Sequence, residues 1–363
     1  MPDRTLLAIG TKKGLWLATS DDDRRTWSVL PPRHAMTSVY AVAIDTRRAL
    51  PRLLAGVTSE HFGPSVAVSD DLGDTWSEQD RAPMAFPADT GAALNRVWQI
   101  TPGPADEPDV VYAGSEPSAL FRSDDGGLTY EFVRGLWDHE HRPQWEAGFG
   151  GQAVHTVLPH PTDHDRVTVA MSTGGVYQTE DGGTSWHPSN HGIAAAFLPD
   201  PLPEFGQCVH KVAVGAGHPD HMYAQNHGGV YKSTDAGANW ESIADGLPGD
   251  FGFPMVAHPH RSDVIYNFPL VADEHRFAPG GRCRVYRSED AGSTWSALSE
   301  GLPVDGFWSL VLRDALCTDN GDPTGVYFGT RSGEVYASRD EGDGWQQVVG
   351  HLPDVLCVRA AVL

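Results

Sequence analysis

One eight-residue pattern dominates the sequence and leaves few folds open to it. It reads SDDDRRTW at Ser20 to Trp27, SDDLGDTW at Ser69 to Trp76, SDDGGLTY at Ser123 to Tyr130 and TEDGGTSW at Thr179 to Trp186. It continues as STDAGANW at Ser233 to Trp240, SEDAGSTW at Ser288 to Trp295 and SRDEGDGW at Ser338 to Trp345. The third-position aspartates Asp22, Asp71, Asp125, Asp181, Asp235, Asp290 and Asp340 are spaced 49, 54, 56, 54, 55 and 50 residues apart. A fixed period of that length is one four-stranded sheet repeated around a ring.

The octet has a mechanical reading. Its aspartate can accept backbone N–H bonds inside a tight turn, its glycine supplies positive φ, and its aromatic packs between neighbouring sheets. Arg24 stands where the other copies have glycine, so the first octet reads as a degraded copy of the same turn. Between octets lie three further strand-like runs, for example Val39 to Ile44, Leu53 to Val57 and Val66 to Ser69, before the run Trp76 to Gln79. Each unit is therefore expected to be four antiparallel strands, with the octet joining the third to the fourth.

The termini settle how the ring closes. Only two runs, Leu6 to Gly10 and Gly14 to Ala18, precede the first octet, and one run, Val355 to Val362, follows the last. Pairing the C-terminal strand with the N-terminal three fills the vacancy and removes exposed sheet edges. The expected fold is all-β, a seven-bladed β-propeller occupying residues 1–363 as a single domain.

Composition narrows the partners. There are 26 Lys+Arg against 48 Asp+Glu, a formal charge of −22, which repels nucleic-acid phosphates and anionic membranes. Neither nucleic acid nor membrane is expected as a partner. The 40 glycines and 27 prolines are spread along the chain, as many tight turns require. Cys208, Cys283, Cys317 and Cys357 form no C-x-x-C pair, the opening MPDRTLLAIGTKKG has no leader pattern, and no segment reaches the length of an apolar membrane span. A cytoplasmic location is the expectation.

The octets resemble the Asp-box, or bacterial neuraminidase repeat, S-x-D-x-G-x-T-W, and the chain is similar to bacterial single-domain proteins described as sialidase-like or glycosyl-hydrolase-like. Relatives with that repeat include sialidases, xyloglucan-hydrolysing enzymes, sortilin-like receptors and a photosystem assembly factor, so the resemblance implies the fold and leaves the chemistry open. Sialidases are six-bladed and carry an F/Y-R-I-P motif. This sequence has seven copies and no R-I-P tripeptide, so sialic-acid cleavage is not expected. No motif transfers a catalytic aspartate from the xyloglucan enzymes, whose two-propeller construction is also missing.

In a propeller the loops entering each inner strand and leaving each second strand build the face opposite the octets, and a site is expected there. Aligning inner strands by repeat sets Trp98, His155 and His210 at equivalent places, in VWQI, VHTV and VHKV. Seventeen residues on, the second strands reach Ser115, Ser172 and His227. The shared offset predicts hairpins of equal length, with His155 beside His210 and His210 opposite His227. Around these imidazoles cluster Glu204, Cys208 and Lys211 from PEFGQCVHK, Gln225 and Asn226 from AQNHGG, and Gln152 from FGGQAVH. Phe149-Gly150, Phe205-Gly206 and Phe251-Gly252 enter three successive units, with Phe253 just beyond, and their glycines permit close backbone approach. Glu60, His61, Asp273, Glu274, His275, Arg276, Trp145, Trp308 and Arg331 are rim candidates that singly read as loop or packing residues.

The leading expectation is a hydrolase-like enzyme acting on a glycoside or another small polar molecule at the channel mouth. His155, His210, Glu204 and Lys211 would carry catalysis, and Trp98, Gln152, Cys208, Gln225, Asn226, His227, Phe253 and Trp308 would bind substrate. Cys208 beside His210 is a further nucleophile candidate. One alternative is a metal-dependent enzyme in which His155, His210 and His227 hold a single divalent transition metal with an open position. The other is a non-catalytic scaffold that holds a protein or peptide across the channel face.

Overall fold

The computed structural model describes residues 4–77, 81–147 and 151–363. Gln79, at the end of one expected strand, and the Phe149-Gly150 pair lie outside the described residues. The chain is an all-β seven-bladed β-propeller with almost no helix. Among the described residues six sheets are four-stranded and one is three-stranded, with Ser77 adding a single bridge to Val68 where the fourth strand was expected.

Contacts group the chain into two units. One comprises residues 4–35, 191–203 and 210–363, the other residues 36–190 and 204–209. The first unit contains the closing sheet. There Val355–Val362 pairs antiparallel with Thr5–Thr11, which pairs with Gly14–Ser20 and then Ser28–Val29. The last strand thus takes the inner place that the termini predicted.

All seven octets adopt one turn among the described residues. At the second copy Ser69 Oγ donates to Asp71 Oδ1 (2.8 Å) and accepts from Gly73 N (2.8 Å), while Thr75 donates its N–H and Oγ–H to the Asp71 carboxylate (2.8 and 2.6 Å). These donors hold Asp71 at about 2, below the ordinary 3.8. The fourth and fifth positions both have positive φ, as at Leu72 (58°) and Gly73 (89°), which explains the glycine of six copies. Trp295 illustrates the expected bridging role, its indole N–H donating to Ile243 O (2.8 Å) of the preceding sheet.

Arg24 corrects the reading of a degraded copy. It holds the left-handed conformation (φ 62°) and sends its guanidinium to Asp319, Nε to Oδ2 at 2.7 Å and Nη2 to Oδ1 at 3.1 Å. Arg24 and Asp319 side chains are 5% and 0% exposed, so the missing glycine is exchanged for a buried bidentate pair tying the first octet to the seventh sheet.

Register defects matter for the site. The inner strands bulge between Val97 and Gln99, between Val154 and Thr156, and between Gly252 and Met255. Trp98, His155 and Phe253-Pro254 are therefore the extra residues of their ladders, and a bulge re-aims the side chain it carries.

Candidate functional site

The fifth sheet begins with Val209–Gly215, which carries His210, and its second strand His218–Asn226 ends one residue before His227. The two imidazoles meet as the hairpin register predicted, 5.5 Å apart and edge to face. His210 is 3% exposed, and its Nδ1 lies 2.5 Å from Gly252 O. Burial, with the Arg313 charge adding to it, pushes this imidazole well below its ordinary pKa and keeps it neutral. Phe253 stacks on the ring (4.9 Å), and Phe251 stands edge-on to both His210 (5.6 Å) and His227 (5.1 Å).

The loop that follows the strand Ile265–Leu270 completes the arrangement. It is shaped by its own backbone, Val271 N bonding Phe277 O (3.0 Å) and His275 N bonding Ala272 O (3.2 Å). Asp273 Oδ2 meets His227 Nε2 at 3.2 Å, and this bond lowers the Asp273 carboxyl pKa. Arg276 donates to Asp273 O (2.8 Å) and lies over the rings of Phe251 (5.8 Å) and Phe253 (5.7 Å). Phe277 packs edge-on against Trp308 (5.2 Å), which is 66% exposed. One loop therefore links an exposed indole to an imidazole–carboxylate pair. Sequence analysis had Asp273 and Arg276 only as rim residues and Trp308 as a rim and substrate-binding candidate, because nothing in their spacing reports that Phe277 of the same loop meets Trp308.

Other predicted residues have different surroundings. Lys211 Nζ is bound to Asp314 Oδ1 (2.8 Å), which also accepts from Arg359 Nη2 (2.6 Å), so its ammonium is part of a buried ion cluster. Gln225 and Asn226 are wholly buried. Gln225 donates to Asn226 O (2.7 Å) and Asp250 O (2.9 Å), and Asn226 to Ala194 O (2.8 Å). These bonds brace the hairpin end that presents His227.

Within the other unit, the fully buried His155 has Nε2 3.2 Å from Ser172 Oγ, the partner that the offset assigned to it. Trp98 donates its indole N–H to Glu116 Oε2 (2.8 Å). Glu204 is exposed, its backbone oxygen accepting from Asn190 Nδ2 (3.1 Å), and Gln152 is half-buried. Of the three imidazoles expected to converge, the rings of His210 and His227 meet, whereas His155 is bonded to Ser172 within the other unit. His155 is turned by its bulge toward Ser172, and Cys208 lies just before the strand Val209–Gly215 that carries His210.

An open cleft of about 740 Å³ in the second unit is lined among others by Arg134, Asp138, His139, Glu140 and Trp186. Its Arg134 binds Asp89 at 2.9 Å and lies 3.7 Å from Asp138.

No protein-family model matches the chain. It is 24% identical over 240 residues to the xyloglucanase Xgh74A of Acetivibrio thermocellus, an alignment covering 56% of this chain and 26% of that protein. It is 23% identical over 216 residues to the oligoxyloglucan-reducing end-specific xyloglucanase of Emericella nidulans, covering 55% and 24%. The chain spans about a quarter of the length of these curated relatives. Among solved structures, an ancestral GH74 enzyme superposes with a TM-score of 0.58 at 18% identity, covering 86% of this chain and 39% of that one. YCF48 bound to D1 peptide superposes with a TM-score of 0.53 at 13% identity, covering 96% and 86%.

Proposed function

We propose that the protein is a glycoside hydrolase of the propeller type, acting on a neutral glucan-derived oligosaccharide of the xyloglucan class. The observation that carries this reading is the loop of residues 271–278, whose Phe277 packs against the exposed Trp308 indole and whose Asp273 pairs with His227. An exposed aromatic face offers a sugar ring apolar contact, while Asp273, His227 and Arg276 offer hydrogen bonds to hydroxyls. Glycosidic cleavage uses a pair of carboxyl groups flanking the scissile bond, and Asp273 would supply one of the two. A net charge of −22 favours a neutral glycan over a polyanionic one. Similarity to xyloglucanases over 240 residues supports the same substrate class. This reading takes residues 1–363 as one domain working in the reducing cytoplasm, which the lack of any disulfide among its four cysteines supports.

Incubation with xyloglucan oligosaccharides, followed by reducing-end release, tests the proposal. Trp308→Ala should raise KM about tenfold with kcat little changed, as loss of uniform binding does, and Asp273→Asn should abolish turnover. Absence of both hydrolysis and binding at millimolar oligosaccharide overturns it.

A second reading, a peptide-holding scaffold, draws on the near full-length superposition with a propeller solved with a peptide and on the exposed Phe197, Leu202 and Val304. Stoichiometric capture of a peptide by a chain inert toward glycans would favour it.

A further inference from the structure

We propose that Tyr40, Trp98 and Glu116 form a binding niche for the guanidinium group of an arginine-like ligand, and that Arg96 of the same chain occupies this niche until such a ligand displaces it. The inference lies wholly within the second unit and does not depend on glycoside chemistry.

The niche is built where two inner strands begin. Tyr40 stands just before the strand Val42–Asp45, and Arg96 opens the strand Arg96–Pro102 directly opposite Glu116, the last residue of Val111–Glu116. The bulge between Val97 and Gln99 turns the Trp98 side chain toward this end. Its ring meets Tyr40 at 4.8 Å with the planes inclined by 49°, and its indole N–H donates to Glu116 Oε2 at 2.8 Å. The Arg96 guanidinium carbon lies 4.7 Å from the Tyr40 ring centroid and 5.7 Å from that of Trp98, with Nε 3.2 Å from Glu116 Oε2. Two aromatic faces and a carboxylate about one cation are the components by which proteins recognise organic cations.

The walls of the niche stay in place without Arg96. Asn95 Nδ2 donates to Glu116 Oε1 at 2.9 Å and Trp98 donates to Oε2, so both carboxylate oxygens keep a donor when the guanidinium leaves. Gly151 keeps the approach to the carboxylate open: its φ is 92°, and a Cβ there would fall 2.8 Å from Glu116 Oε1. Arg96 is the removable member. Its side chain is 35% exposed against 17% for Glu116, and a partly exposed ion pair of this kind adds little to folding.

Arg96 also shows which chemistry the niche accepts. A guanidinium is planar and weakly hydrated, so it can lie over an aromatic face while its N–H groups reach a carboxylate, whereas a strongly hydrated ammonium fits that arrangement less well. The formal charge of −22 attracts a cationic ligand. Because Arg96 competes for the same place, the affinity of the wild-type chain is lowered by the fraction of molecules in which Arg96 is seated.

The experiment titrates the full chain by calorimetry with Nα-acetylarginine amide, with its neutral isostere Nα-acetylcitrulline amide and with ethylguanidinium. Wild type should bind the arginine amide in the low millimolar range and the citrulline amide about tenfold more weakly. Arg96→Ala and Arg96→Gln should each tighten the arginine amide about tenfold by removing the competitor, and adding Glu116→Gln to Arg96→Ala should abolish the gain. Tighter binding of the arginine amide than of ethylguanidinium assigns the niche to peptide-borne arginine, and equal binding assigns it to a free guanidinium compound. Melting at the wild-type temperature identifies the folded variants. No binding of the arginine amide by wild type or by either folded Arg96 variant at tens of millimolar, equal affinity for the arginine and citrulline amides, or unchanged affinity in both folded Arg96 variants overturns the proposal.

Discussion

Asp314 is a buried carboxylate shared by two cations, and replacing it by asparagine tests how the ring-closing strand is held. Its side chain is 3% exposed and accepts from Lys211 Nζ at 2.8 Å and Arg359 Nη2 at 2.6 Å. Its backbone oxygen accepts from Val358 N (2.8 Å), so the same residue anchors the strand Val355–Val362 twice. Burial alone would raise the Asp314 pKa, but Lys211 and Arg359 hold it below the usual carboxylate range. Asp314→Asn leaves two cations buried against each other without their counter-charge, which costs about 3–5 kcal/mol. With an unfolding entropy near 2.1 cal/mol/K per residue over 363 residues, this corresponds to a fall in Tm of about 4–7 °C. Lys211→Met removes one of the two cations and leaves a one-to-one Arg359–Asp314 pair, so it should cost no more than about 1.5 kcal/mol. Calorimetry and urea titration of both variants supply the comparison. Equal losses in the two, or losses below about 1 kcal/mol for Asp314→Asn, would refute the reasoning that the carboxylate is shared between two cations.

Further predictions concern the turns, the thiols and the pH range. Arg24→Met leaves the wholly buried Asp319 with Tyr327 OH (2.6 Å) as its remaining side-chain donor and should cost about 3–5 kcal/mol in urea unfolding, far more than a surface turn substitution. The carboxyls of Asp22, Asp71 and Asp181 are held at about 2 against an ordinary 3.8, chiefly by hydrogen bonds from the hydroxyl residue four places on. Depressed folded-state values stabilise fully above about pH 4 and lose that contribution as pH falls toward 2, so circular dichroism should show acid unfolding in that window and no matching loss between pH 5 and 7. Cys317 and Cys357 are pushed up to about 12 by burial, so neither should react with a thiol reagent at pH 8 until the protein is unfolded.

The blade count, the octet turn and the closure were legible because each is a local pattern repeated. A hydroxyl, an aspartate and a glycine at fixed spacing make the same hydrogen bonds wherever they occur, and one spare strand can fill only one vacancy. The His210–His227 meeting was legible for a related reason, since a hairpin offset places residues across two paired strands. Positions that depend on departures from the repeat were hidden. The bulge at His155 turns a registered residue toward Ser172, and Arg24 looks like damage until Asp319, nearly 300 residues away in sequence, is seen to receive it. Likewise, Asp273 and Trp308 lie in separate loops of the sequence, and only the folded course of residues 271–278 brings both to one face of the site. Repetition along the chain thus determined the architecture, whereas the chemistry was decided by contacts between residues that no period relates, because side-chain convergence depends on loop course and bulges that local patterns do not encode.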